Sequence, residues 1–152
     1  MTHDFLRLGS RITLLPIVHG SGDFAIAVRQ ALLNEPCDCL AVPLPPSFQP
    51  AVEEAIGQLP AISAVVQVES REFDREWDPA AESNEEETSD RAVNYVPIDP
   101  CQGVITALRM AMSERIPRAF IDLETAKFEP RTAVCPDPYA LKRLSIGQFA
   151  AA

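Results

Sequence analysis

The sequence predicts an α/β fold, with a mainly parallel open sheet of about five strands and helices on both faces. Three observations carry that reading. Ile12-Thr-Leu-Leu-Pro-Ile-Val18 is a strand-like run that turns at His19-Gly20-Ser21-Gly22-Asp23 into a helix-like run, the first half of a βαβ unit. Strand-like and helix-like segments then alternate along the chain with short connections, the pattern of a parallel sheet. Cys39-Leu-Ala-Val42 is a short continuous apolar run, as expected of a strand buried on both faces.

At 152 residues the chain is read as one domain, large enough to bury roughly 68–70% of its unfolded surface. Its composition, 47% hydrophobic and 23% charged, is ordinary for a globular protein.

The elements follow in order. Phe5, Leu6 and Leu8 form an apolar lead-in that Gly9-Ser10 breaks. In the first strand, Ile12–Val18, six of seven residues are apolar or β-branched. Pro16 sits inside it and cannot donate to a ladder, so that part of the strand is expected to be unpaired on one side or bulged. A helix over 22–34 places Phe24, Val28, Ala31 and Leu32 on one face, and Asn34-Glu-Pro36 stops it. After the second strand and Pro43-Leu-Pro-Pro-Ser47, Ser47 is placed as the N-cap of a second helix with Pro50 in its first turn. Val52, Ala55, Ile56 and Leu59 give that helix its apolar face. Residues 61–68 form a third strand and 92–98 a fourth. A third helix over 104–112 carries Val104, Leu108, Ala111 and Met112 on one side, and Ile116-Pro117 ends it. Residues 118–123 form a fifth strand, and Asp137-Pro138 opens a last helix over 139–146. The chain stops at Ala150-Ala-Ala152, compatible with a true end or with the cut edge of a longer protein.

Charge narrows the function classes. The formal net charge is −9, which makes the phosphate term repulsive for nucleic acid and for anionic membranes. Between Ser70 and Asp90 nine acidic residues face two basic ones, so most of the imbalance sits in one segment. Residues 70–91 have little periodicity and few apolar residues apart from Phe73 and Trp77, and read as a solvated, flexible insertion. Their second use would be as a docking site for a basic protein partner, and an apolar patch over 139–149 is a further candidate partner surface. There is no apolar run of about 18 residues to span a membrane and no signal-peptide pattern, so the expected location is the cytoplasm. Cys37, Cys39, Cys101 and Cys135 are then expected as reduced thiols. The Cys37-Asp-Cys39 spacing is too tight for the usual Cys-x-x-Cys zinc hook.

In a parallel sheet the carboxyl ends of the strands share one edge, where ligands bind. His19 ends the first strand, Glu69 the third, Asp99 the fourth, and Asp122 and Glu124 the fifth. His19, Asp99 and Asp122 are the candidate catalytic residues, and the same three are the candidate ligands for a divalent metal, the one cofactor the reading leaves room for. The plainer account is that Asp99 caps the third helix and His19 bonds across its turn; both readings stand on position alone. Gly20, Ser21 and Gly22 are a weak cofactor-binding candidate, because the chain has neither Gly-x-Gly-x-x-Gly nor Gly-Lys-Ser/Thr. No Gly-x-Ser-x-Gly elbow is present, which excludes the usual serine-hydrolase arrangement.

The run Pro16-Ile-Val-His19, the helix after it, and Pro36-Cys-Asp-Cys-Leu-Ala-Val-Pro-Leu44 resemble the start of the superfamily containing TraB, Tiki, ChaN and erythromycin-esterase-like proteins. There a strand ends in Gly-x-x-His, and a proline-aspartate turn leads to a strand ending in glutamate. Tyr95-Val-Pro-Ile-Asp99 and Ile116-Pro-Arg-Ala-Phe-Ile-Asp122 resemble the later strands, so the likeness spans about 12–124. The family's glycine falls at Pro16 and its glutamate at about Pro43, leaving only His19 of the pair. The resemblance thus implies a degenerate member, a non-catalytic binding or scaffolding module. The alternative it leaves is a metal-dependent hydrolase using His19, Asp99 and Asp122.

Overall fold

The computed structural model describes residues 7–68, 93–124, 137–145 and 148–149. The elements are β1 (Arg7–Leu8), β2 (Ile12–Thr13), α1 (Gly22–Asn34), β3 (Leu40–Val42), α2 (Gln49–Ile56), β4 (Ser63–Val68), β5 (Val93–Ile98), α3 (Gly103–Ser113) and β6 (Arg118–Phe120). Short 3-10 turns cover Pro46–Phe48 and Pro138–Lys142.

The five-stranded parallel sheet expected from the sequence is not the architecture. Among the described residues the strands form three separate pairs: β1 with β2 and β4 with β5, both antiparallel, and β3 with β6, the one parallel pair. Two physical reasons account for the difference. Pro16 removes a donor from the expected first strand, and only Ile12–Thr13 of it pairs, folding back on Arg7–Leu8 across Gly9 in a left-handed conformation (φ +65°). Between the third and fourth strands the sequence offers an acidic segment instead of a crossover helix, and β4 and β5 meet antiparallel, with Val65 opposite Val96 and Val66 opposite Tyr95. Nor do the described helices cover both faces: the outward side of this pair, Val66, Val68, Val93 and Tyr95, is exposed.

The helices fall close to their expected bounds, because their apolar spacing is unambiguous. α1 buries Phe24, Ala25 and Val28; α3 buries Val104, Ile105, Ala107, Leu108 and Ala111. The two helices pack against each other, and their approach is close at Gly103, where a Cβ would lie 3.2 Å from Ile17 Cγ2 and 3.5 Å from Val28 Cγ2. α3 ends with Arg115 in the left-handed region (φ 58°), Ile116 N–H donating back to the Ala111 carbonyl at 2.8 Å, a Schellman-type stop just before Pro117. The main core joins α2, α3 and the strands through Phe48, Val52, Ile56, Ile98, Leu108 and Phe120. The last helix expected over 139–146 is a 3-10 turn instead, with Asp137 accepting from Tyr139 N–H at 3.0 Å. Residues 70–91 and Cys135 lie outside the described residues; Cys37, Cys39 and Cys101 are free thiols.

One ion pair ties β6 to α2. Arg118 donates to both carboxylate oxygens of Glu53, at 2.9 and 3.0 Å, and both side chains are 22% exposed. Gln49 adds a third bond to Glu53 at 2.9 Å. The hydrogen bonds from Arg118 hold the Glu53 carboxyl below the usual carboxylate range, against the opposing pull of partial burial. A lowered folded-state pKa stabilises the fold above the unfolded pKa of about 4.3, and that stabilisation fades as pH falls through the folded value. Glu53→Gln is therefore expected to cost about 1–2 kcal/mol at neutral pH. The gap from wild type should close below about pH 4. Urea melts of both proteins across this range check it; a gap independent of pH would assign the loss to packing.

Candidate functional site

The turn after Val18 is set by glycine. Gly20 has φ +77°, a conformation that L side chains rarely adopt, and its N–H donates to Gln102 Oε1 at 2.8 Å. Ser21 follows as the N-cap position of α1; its carbonyl accepts from Phe24 and Ala25 N–H at 3.1 and 3.3 Å, while its hydroxyl makes no cap bond. A Cβ on Gly22 would meet Cys101 Sγ at 4.0 Å. Gly20, Ser21 and Gly22 are therefore seated against the loop that carries Asp99, Cys101 and Gln102. His19 is exposed at the mouth of this junction.

Asp99 is engaged locally. Its Oδ1 accepts from Cys101 N–H at 2.8 Å and its carbonyl from Gln102 N–H at 3.0 Å, shaping the turn that enters α3, whose N-cap position is Gln102. The Asp99 carboxylate, by its charge first and by hydrogen bonding second, pushes the Cys101 thiol above its ordinary pKa, which lowers its thiolate fraction. Cys37 is likewise raised, chiefly by burial and then by Cys39 and Asp38.

Asp122 belongs to another junction. Its N–H donates to the Leu44 carbonyl at 3.1 Å, extending the β3–β6 ladder, and its Oδ1 accepts from Leu123 N–H at 2.8 Å. So the structure brings the His19 turn and the Asp99 loop together through Gly20 and Gln102, and no hydrogen bond among the described residues joins Asp122 to either. Among the described residues no three His, Cys, Asp or Glu side chains group as metal ligands would.

Two features were not singled out from sequence. Glu124 grips Ser47, whose N–H donates to Oε1 at 2.7 Å and whose hydroxyl donates to Oε2 at 2.8 Å. Gln67 Oε1 lies 3.3 Å from the same hydroxyl, which has one proton; the shorter contact to Glu124 takes it. Ser47 is thus inside the 3-10 turn rather than an N-cap, and Glu124 satisfies the free N–H at the start of that turn from the other side of the chain. The residues are 77 apart in sequence, so no local pattern signals the pair. The second feature is the outer face of β4–β5. Val66 (55% exposed) stands opposite Tyr95 (68%), and Val68 stands opposite Val93, with Ile62 exposed just before β4. The two-residue spacing of Val66 and Val68, which puts both on one face of a strand, was visible in the sequence and could have marked it.

No helix of the described residues is long and apolar enough to cross a membrane. No protein family, curated protein or solved structure matches the chain.

Proposed function

We propose that the chain is a non-catalytic binding or scaffolding module. The observation that supports this reading best is the outer face of β4–β5: Val66, Val68, Val93 and Tyr95 form a contiguous, uncharged apolar surface on two paired strands. Apolar surface costs about 25 cal/mol for each Å² left in water, so a patch of this kind marks a place where a protein partner gains affinity. The strand-end aspartates fit the same reading, since Asp99 and Asp122 each bond to the backbone of their own turns. The departures at Pro16 and Pro43 from the TraB- and Tiki-like pattern point the same way.

Two measurements test it. A photo-crosslinker at position 95 should give a discrete protein adduct in extracts of the source cells, and one at the exposed Leu33 of α1 should not. Calorimetric titration with manganese, zinc or cobalt should give no heat that His19→Ala removes. Micromolar metal binding abolished by His19→Ala would overturn the proposal in favour of metal-assisted hydrolysis.

A further inference from the structure

A cavity of about 310 Å³ opens between α1 and α3, lined by Arg29 from α1, by Pro100, and by Ile105, Thr106, Arg109 and Met110 from α3. Its volume lies at the lower end of the range that holds small molecules. Its lining is of two kinds. Pro100, Ile105 and Met110 are apolar. Arg29 and Arg109 are both exposed, and neither makes an ion pair or side-chain hydrogen bond with any described residue. Two guanidinium groups from different helices, neither of them paired with a described residue, thus meet at one cavity. Thr106 donates its hydroxyl proton to the Pro100 carbonyl at 2.9 Å, which holds one wall of the cavity to the loop before α3 and leaves the hydroxyl oxygen free to accept.

We infer that this cavity is a binding site for a small organic anion, a carboxylate or phosphate monoester carrying an apolar group. The planar fork of an arginine matches either head group with paired, charge-assisted hydrogen bonds. The apolar lining would take the rest of the molecule. The site is separate from the β4–β5 face, and the inference does not depend on the function proposed above.

Phenyl phosphate, benzoate and inorganic phosphate are the probes, titrated into the full chain by calorimetry and by amide chemical shifts. Phenyl phosphate or benzoate should bind saturably at millimolar concentration or below, with shifts centred on residues 29 and 105–110. Whichever binds tighter identifies the head group, and inorganic phosphate should bind more weakly than phenyl phosphate. The double variant Arg29→Gln, Arg109→Gln should weaken binding by at least about tenfold. Circular dichroism should show its fold unchanged, since both side chains lie on the surface. No saturable binding of either aromatic anion, or binding that the double variant leaves intact, would overturn the inference.

Discussion

Phe24→Ala is expected to lower the free energy of unfolding by about 3–5 kcal/mol. Phe24 is 0% exposed and lies in the first turn of α1. Its ring meets that of Phe149 edge-to-face, with centroids 5.2 Å apart and planes at 73°. Truncation removes the buried ring, leaves a cavity beside the α1–α3 contact, and strips the aromatic pair of about 0.5–1.5 kcal/mol beyond its buried area. Domains of ordinary stability have about 5–15 kcal/mol in all, so the variant should unfold at a much lower urea concentration with an unchanged slope. Phe24→Leu, which keeps most of the volume, should recover the larger part of the loss. A loss under about 1 kcal/mol for the alanine variant would mean that the site collapses around the gap.

Leu108→Ala is expected to cost about 2–5 kcal/mol. Leu108 is 0% exposed on α3 and belongs to the core cluster with Ile98, Ile105, Val52 and Phe120, where the helices meet β5 and β6. Phe24 lies outside that cluster. The two losses should therefore add in the double variant to within about 0.5 kcal/mol if the packing regions are energetically independent. Denaturant melts of the two single variants and the double one decide this; a shortfall larger than that would show α3 transmitting strain between them.

What the sequence made legible was local. The spacing of Phe24 and Val28, and of Val104, Leu108 and Ala111, placed α1 and α3 almost to the residue, because a helix closes its hydrogen bonds within itself. A strand needs a partner that its own residues do not name. Leu40–Val42 and Arg118–Phe120 were both recognisable as strands, yet nothing in either run says that they pair with each other. Between residues 68 and 93 the sequence carries an acidic segment with no helix-like periodicity, and that was the available sign of antiparallel pairing against the alternation of segments elsewhere. The candidate site divides in the same way. The turn at His19–Gly22 was readable from its glycines, whereas its seat against Gln102, and the grip of Glu124 on Ser47, depend on chain closure over long separations.

The parallel pairing of β3 with β6 also has a consequence in time. Leu40 lies opposite Arg118, so β3 leaves the ribosome long before its ladder partner has been synthesised. At ordinary rates of synthesis that interval is roughly 4–16 seconds. During it the apolar run Leu40-Ala-Val42 has no strand to complete its hydrogen bonds. Vectorial synthesis therefore leaves this short apolar run without its ladder until α3 and β6 arrive to close the core.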